Sequence, residues 1–117
     1  TWITPLRDGL NLVAKEYVAT QGLIDGSGVL VLSEFAGAAA ELRGAILANP
    51  HHPQELADTF YYALTISESE AKNRLSEAFE IVCRYDIGYW GQAFIDAVEL
   101  RRLSRLEKVI TTERCQA

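Results

Sequence analysis

Gly28-Val29-Leu30-Val31-Leu32-Ser33-Glu34-Phe35-Ala36-Gly37 decides the architecture of this 117-residue chain. Val29 to Leu32 is a continuous apolar run with two valines, entered from a glycine-bearing loop and left for helix-forming sequence. Such a run between helical segments predicts a parallel strand buried on both faces of an α/β sheet. Ser33 to Gly37 then falls at the carboxyl end of that strand, where open α/β sheets bind ligands. A plainer reading stands equally beside it, a strand-to-helix turn in which Ser33 or Glu34 satisfies free amides.

Upstream, Trp2-Ile3-Thr4 reads as the end of another strand entering a turn at Pro5, and Asp8-Gly9 carries that turn into a helix. Gly9 suits a close backbone approach to a ligand or a positive φ. Leu10, Val13, Ala14, Tyr17 and Val18 recur at helical spacing and predict one buried face. Asp8, Leu12 and Glu16 then share a stripe, and the amides of Gly9 to Leu12 are the expected unpaired donors of the first turn, suited to a phosphate or sugar oxygen. Eight helical residues span about 12 Å. Asp8 and Glu16 therefore stand too far apart for a glycosidase pair, which needs about 5 to 9.5 Å. They suit the two ends of a nucleotide sugar, with a sugar hydroxyl on Asp8, the pyrophosphate over the helix start and a ribose hydroxyl on Glu16. Spacing alone favours the blander alternative, an Asp at a helix N-cap and a solvated Glu.

Downstream, Gln21 to Gly28 is a loop, Ala38 to Leu42 a short helical piece and Ala45 to Ala48 a further short strand. His51 and His52 lack the third and fourth ligands zinc requires, and read as a solvated or capping pair. Three helices follow. Pro53 suits a first turn, with Leu56, Phe60, Ala63 and Leu64 as its apolar stripe. Ser67 and Glu70 form a capping box for a helix to about Arg84 that buries Leu75, Ala78, Phe79 and Val82. Asp86 caps the last, whose Trp90, Phe94, Ile95 and Val98 read as core packing; an exposed Trp90 would instead mark the footprint of another domain.

Thr4-Pro5-Leu6-Arg7-Asp8-Gly9-Leu10-Asn11-Leu12-Val13-Ala14-Lys15-Glu16-Tyr17, then Gly28 to Ala39, then Ala48-Asn49-Pro50, resemble in that order the C-terminal part of the trehalose-6-phosphate synthase family of retaining glycosyltransferases. The likeness runs from about Thr4 to about Glu99. It implies the C-terminal part of a Rossmann-like GT-B nucleotide-sugar-binding domain over residues 1–100, with few parallel strands followed by three helices, and leaves 101–117 as a polar tail, frayed or disordered. Carried over by position, it implies that Asp8 binds the transferred glucose. The backbone of Leu10, Asn11 and Leu12 beside Gly9 would bind the glucose and phosphates, and Glu16 the ribose. Position 10 is often Met in the family; the implied contact is through the backbone, so Leu10 changes little.

The same resemblance implies a glucosyltransferase using nucleotide-activated glucose and a phosphorylated acceptor, glucose 6-phosphate or glycerol 3-phosphate, without cofactor or metal. Leu10 and Arg84-Tyr85-Asp86-Ile87-Gly88-Tyr89-Trp90 lean toward the glucosylglycerol-phosphate branch. No protein nucleophile is implied; electrostatic stabilisation of the leaving phosphate carries the step. Family members have two Rossmann-like domains, so the chain reads as a fragment lacking an N-terminal domain, its diphosphate-neutralising basic pair and the acceptor site, and is expected to be inactive alone. Arg7 is a weak substitute for that pair. A non-catalytic nucleotide-binding or protein-interaction module is the alternative.

Composition bounds the rest. The chain is 49% hydrophobic, enough for one domain with a modest core. A net charge of −5, a pI near 5.0 and no basic stripe beyond Arg101, Arg102 and Arg105 disfavour nucleic acid. No apolar run approaches the roughly 20 residues needed to cross a bilayer, and no leader is seen, which predicts a cytoplasmic protein. Cys83 and Cys115 are far apart, and Cys83 falls on an apolar helix side, so a buried free thiol is expected rather than a disulfide.

Overall fold

The computed structural model describes the backbone of residues 1–114 and the side chains of residues 1–104. Two compact units divide it, Thr1–Arg84 and a second beginning at Tyr85. In the first, β1 (Trp2–Ile3), β2 (Val31–Ser33) and β3 (Ile46–Ala48) form a parallel sheet in the order β1-β2-β3. Trp2 lies beside Val31, and Val31 beside Ile46. Each parallel pair needs a crossover. The first contains α1 (Leu12–Leu23); the second is shorter, built on a 3-10 helix at Gly37–Ala40.

Alternation along the apolar run serves two layers at once. Leu30 and Leu32 pack with Ala14 and Val18 of α1 and with Leu75 and Ala78 of α3 (Glu68–Arg84). Val31 points the other way, joining Ile46 and Ala48 under Leu56 and Ala63 of α2 (Pro53–Thr65). The run from Val29 to Leu32 is therefore apolar on both faces, as expected of a strand with helices on both sides, and β2 ends on the buried Ser33. The anticipated three-layer parallel α/β arrangement is realised.

Helix starts follow their capping signals. Pro53 occupies the first turn of α2, and His52 Nδ1 accepts from Glu55 N at 3.4 Å. Ser67 Oγ accepts from Glu70 N at 3.2 Å ahead of α3, which buries Ala71, Leu75 and Ala78. In the second unit α4 spans Ile87–Arg114, with Asp86 Oδ1 accepting from Tyr89 N at 2.8 Å. Among the described residues no helix is long and apolar enough to cross a membrane, and no group of three potential metal ligands is found.

Three packing expectations fail. Leu10 and Val13 are 56% and 60% exposed, because α1 starts only at Leu12 and buries Ala14 and Val18, with Tyr17 half-buried. Cys83 is a free but exposed thiol, its neighbours Ile81 and Val82 being the ones in the last turn of α3 that pack against the core; Cys115 lies outside the described residues. Trp90 is 63% exposed and stacks on Phe94 at 5.6 Å, with Phe94, Ile95 and Val98 also exposed, so this aromatic ridge is not core. Apolar spacing fixes a face, and says nothing of what covers it.

Candidate functional site

The site is built where the chain leaves β1 and β2. An isolated parallel bridge pairs Asp8 with Ala36 beyond the strand ends. Asp8 N donates to the Phe35 carbonyl at 3.2 Å, Gly37 N to the Asp8 carbonyl at 2.8 Å, and Ala38 N to the Leu10 carbonyl at 3.0 Å. These bonds sew segment 8–10 to segment 35–38 at the carboxyl edge of the sheet, as expected for Asp8 and Gly9. An open cleft of about 510 Å³ lies there, lined by Arg7, Asp8, Gly9, Glu34, Phe35 and Leu47 among others.

The lead into α1 differs from the expected helix start. Asp8 is not the N-cap. Its Oδ1 accepts from Leu10 N at 3.0 Å and Asn11 N at 3.1 Å, and its Oδ2 from Asn11 Nδ2 at 2.9 Å. Asn11 is the cap, in the left-handed region at φ 61°, with Oδ1 accepting from Ala14 N at 3.0 Å. Two Asx side chains thus act in tandem, Asp8 on Asn11 and Asn11 on Ala14, each reaching three residues on. Of the two roles open to Gly9, the positive φ is not taken up: it falls on Asn11, and no glycine in the described chain has one.

Two consequences revise the expected site. Only Leu12 and Glu16 share a helix face, since Asp8 precedes the helix by a loop, so the 12 Å helical ruler does not apply to Asp8 and Glu16. The Leu10 and Asn11 amides, expected to be unpaired, are held by Asp8. The Leu10 amide chiefly, and then the Asn11 side chain, hold the Asp8 carboxyl below its ordinary range. Glu16 is exposed on α1. Lys15 forms an ion pair with Glu41 at 2.6 Å and so ties α1 to the end of the 3-10 helix.

On the facing wall, Ser33 is fully buried and its Oγ accepts from Phe35 N at 3.1 Å, which realises the strand-to-turn reading of that segment. Phe35 meets the His51 ring edge-on at 5.3 Å. Glu34 lies in the Ser33 to Gly37 segment expected at the cleft, while sequence reasoning did not single out Leu47 as a cleft residue nor Asn11 as a cap. Two Asx residues three apart ahead of a helix were the available signal for the last.

The family model for glycosyltransferase family 20 matches residues 1–100. A glucosylglycerol-phosphate synthase from Pseudomonas anguilliseptica is 65% identical over 97 residues, which are 83% of this chain and 13% of that protein. An E. coli trehalose-6-phosphate protein solved with UDP-2-fluoro glucose bound is 48% identical at a TM-score of 0.76, covering 82% of this chain and 21% of the other. An alpha,alpha-trehalose-phosphate synthase (UDP-forming) from Burkholderia xenovorans, in complex with glucose-6-phosphate, is 40% identical at a TM-score of 0.77, over 84% of this chain and 22% of its own. The chain spans well under a third of the length of these relatives.

Proposed function

This chain belongs to glycosyltransferase family 20, and on that footing we propose that it is the donor-binding segment of a retaining glucosyltransferase that moves glucose from a nucleotide sugar to a phosphorylated acceptor. The observation that carries the reading is the bridge between Asp8 and Ala36, which sets the Asp8 carboxylate at the carboxyl edge of a parallel sheet beside an open cleft. A ligand there meets Asp8 and the polar backbone of the two sewn segments.

Only Asp8 and Gly9 of the proposed donor residues line that cleft; the roles rest on the family resemblance. Asp8 takes a hydroxyl of the transferred glucose, the backbone at Leu10, Asn11 and Leu12 the sugar and phosphates, and Glu16 the ribose. A donor oxygen that takes the Leu10 or Asn11 amide must displace an Asp8 oxygen, which is then free to accept from the sugar. Binding exchanges an internal anion for the ligand's and leaves both partners hydrogen-bonded. Stabilisation of the leaving diphosphate is shared with basic groups supplied by the rest of a full-length synthase, and the acceptor site lies there too. The exposed ridge at Trp90 and Phe94 suits a surface that such a synthase covers. Residues Thr1 to Ala117 alone would therefore show no measurable glucosyl transfer.

Glycerol 3-phosphate is the proposed acceptor, supported by 65% identity to a glucosylglycerol-phosphate synthase against 48% and 40% to the two trehalose-phosphate proteins. In the full-length protein, Asp8→Ala should lower kcat/KM by about 30- to 1,000-fold, the loss of roughly 2 to 4 kcal/mol of transition-state stabilisation. Glu16→Gln should raise the donor KM with kcat nearly unchanged. Wild-type kinetics in Asp8→Ala would remove the residue from the site. Faster transfer to glucose 6-phosphate than to glycerol 3-phosphate would refute the acceptor assignment.

A further inference from the structure

We propose that Gly37 is a positioning residue for the donor site, its missing side chain being what lets the Asp8–Leu10 segment seat against the start of the 3-10 helix. The inference rests on the donor-site reading of Asp8. A Cβ built on Gly37 falls inside contact distance of the Gly9 carbonyl oxygen, 2.7 Å from the Gly9 carbonyl carbon and 3.1 Å from the Leu10 nitrogen. All three obstacles are backbone atoms, so no flexible side chain can yield. Carbon atoms rest about 3.5 to 4.0 Å apart; one methyl group therefore moves the loop by about 1 Å or breaks its seams. Those seams are the Gly37 N to Asp8 carbonyl bond at 2.8 Å and the Ala38 N to Leu10 carbonyl bond at 3.0 Å.

Gly37 lines the cleft but offers no side chain to a ligand, and acts through Asp8. The loop it admits is the one whose amides organise the Asp8 carboxylate. A displacement of that size in a reacting geometry costs on the order of 100-fold. Gly9, on the other side of the contact, has open space where its own Cβ would stand. The restriction therefore belongs to position 37, although both glycines read alike in sequence.

Two measurements test this. In the 117-residue chain, amide exchange of Gly37→Ala should rise at Asp8, position 37 and Ala38, while Glu34 and Ile46, bonded to the Ala48 and Leu30 carbonyls, keep their protection. A uniform rise, or no change, would overturn the proposal. In the full-length synthase, Gly37→Ala should lower kcat by about 10- to 100-fold with the acceptor KM unchanged. Added to Asp8→Ala, the same change should cost little further, because both act through one group. Additive losses in that cycle would refute action through Asp8. If Asp8→Ala itself leaves kcat intact, the donor-site reading fails, and the exchange experiment still decides whether Gly37 seats the loop.

Discussion

Replacing Asn11 isolates the left-handed cap on which the entry to α1 depends. Asn11 supplies three things at once: a backbone at φ 61°, an oxygen for Ala14 N at 3.0 Å, and an amide for Asp8 Oδ2 at 2.9 Å. Alanine loses the cap, about 1 kcal/mol, and must hold a left-handed backbone that costs an ordinary residue about 1 to 2 kcal/mol. Glycine also loses the side chain, but as a cap residue it costs only a few tenths of a kcal/mol and takes positive φ without strain. Asn11→Ala should therefore destabilise by about 2 to 3 kcal/mol and Asn11→Gly by about 1 kcal/mol or less. The order reverses the usual preference for Ala over Gly near a helix. Urea unfolding of the chain followed by far-UV circular dichroism measures it. With a slope of about 1 kcal/mol per molar, the alanine midpoint should fall by roughly 2 to 3 M and the glycine midpoint by about 1 M or less at equal slope. An alanine variant as stable as the glycine variant would refute the reasoning.

Two further outcomes are expected. Gly44 is buried, and a Cβ there would meet the Arg74 carbonyl and lie 3.1 Å from Ala78 N. Gly44→Ala should push α3 off the sheet at about 1 to 3 kcal/mol, and an unchanged Tm would contradict that packing. Because the folded Asp8 carboxyl titrates below its ordinary value of 3.8, its contribution is complete above that pH and is lost as pH falls through the lower folded value. The Asp8 carboxyl carbon resonance should titrate with a midpoint below 3.8; a midpoint above it would remove the proposed hydrogen bonds.

The layers of this fold were legible in two apolar runs, because a strand with helices on both faces must be apolar throughout. Pro53, Ser67 and Asp86 marked their helices through chemistry that acts within three residues. The entry to α1 was less legible. Asp8-Gly9 before an apolar periodic stretch reads as a cap, and nothing in the period reveals that Asp8 spends its carboxylate on an Asx turn and hands the capping to Asn11. Leu10 and Val13 kept the right spacing and still face out, since the helix begins after one and turns the other away. The close approach of Gly37 to Gly9 is a through-space contact between segments far apart in the chain, invisible without the fold.

The sheet register carries a kinetic consequence for the cleft. Pairing Trp2 with Val31 closes roughly twice as much chain as pairing Val31 with Ile46, a difference of about 0.6 kcal/mol in closure entropy. β1 and β3 are both outer strands of the described sheet, but α2 packs on β3. During refolding β2, β3 and α2 should therefore assemble first and β1 later, so the wall carrying Asp8 docks onto a partner already in place. The reverse path is ordered too: the wall carrying Asp8 should fray before the central strand does. Any ligand that bound only the docked wall would act as a latch on this last step, slowing the first stage of unfolding as its occupancy rose.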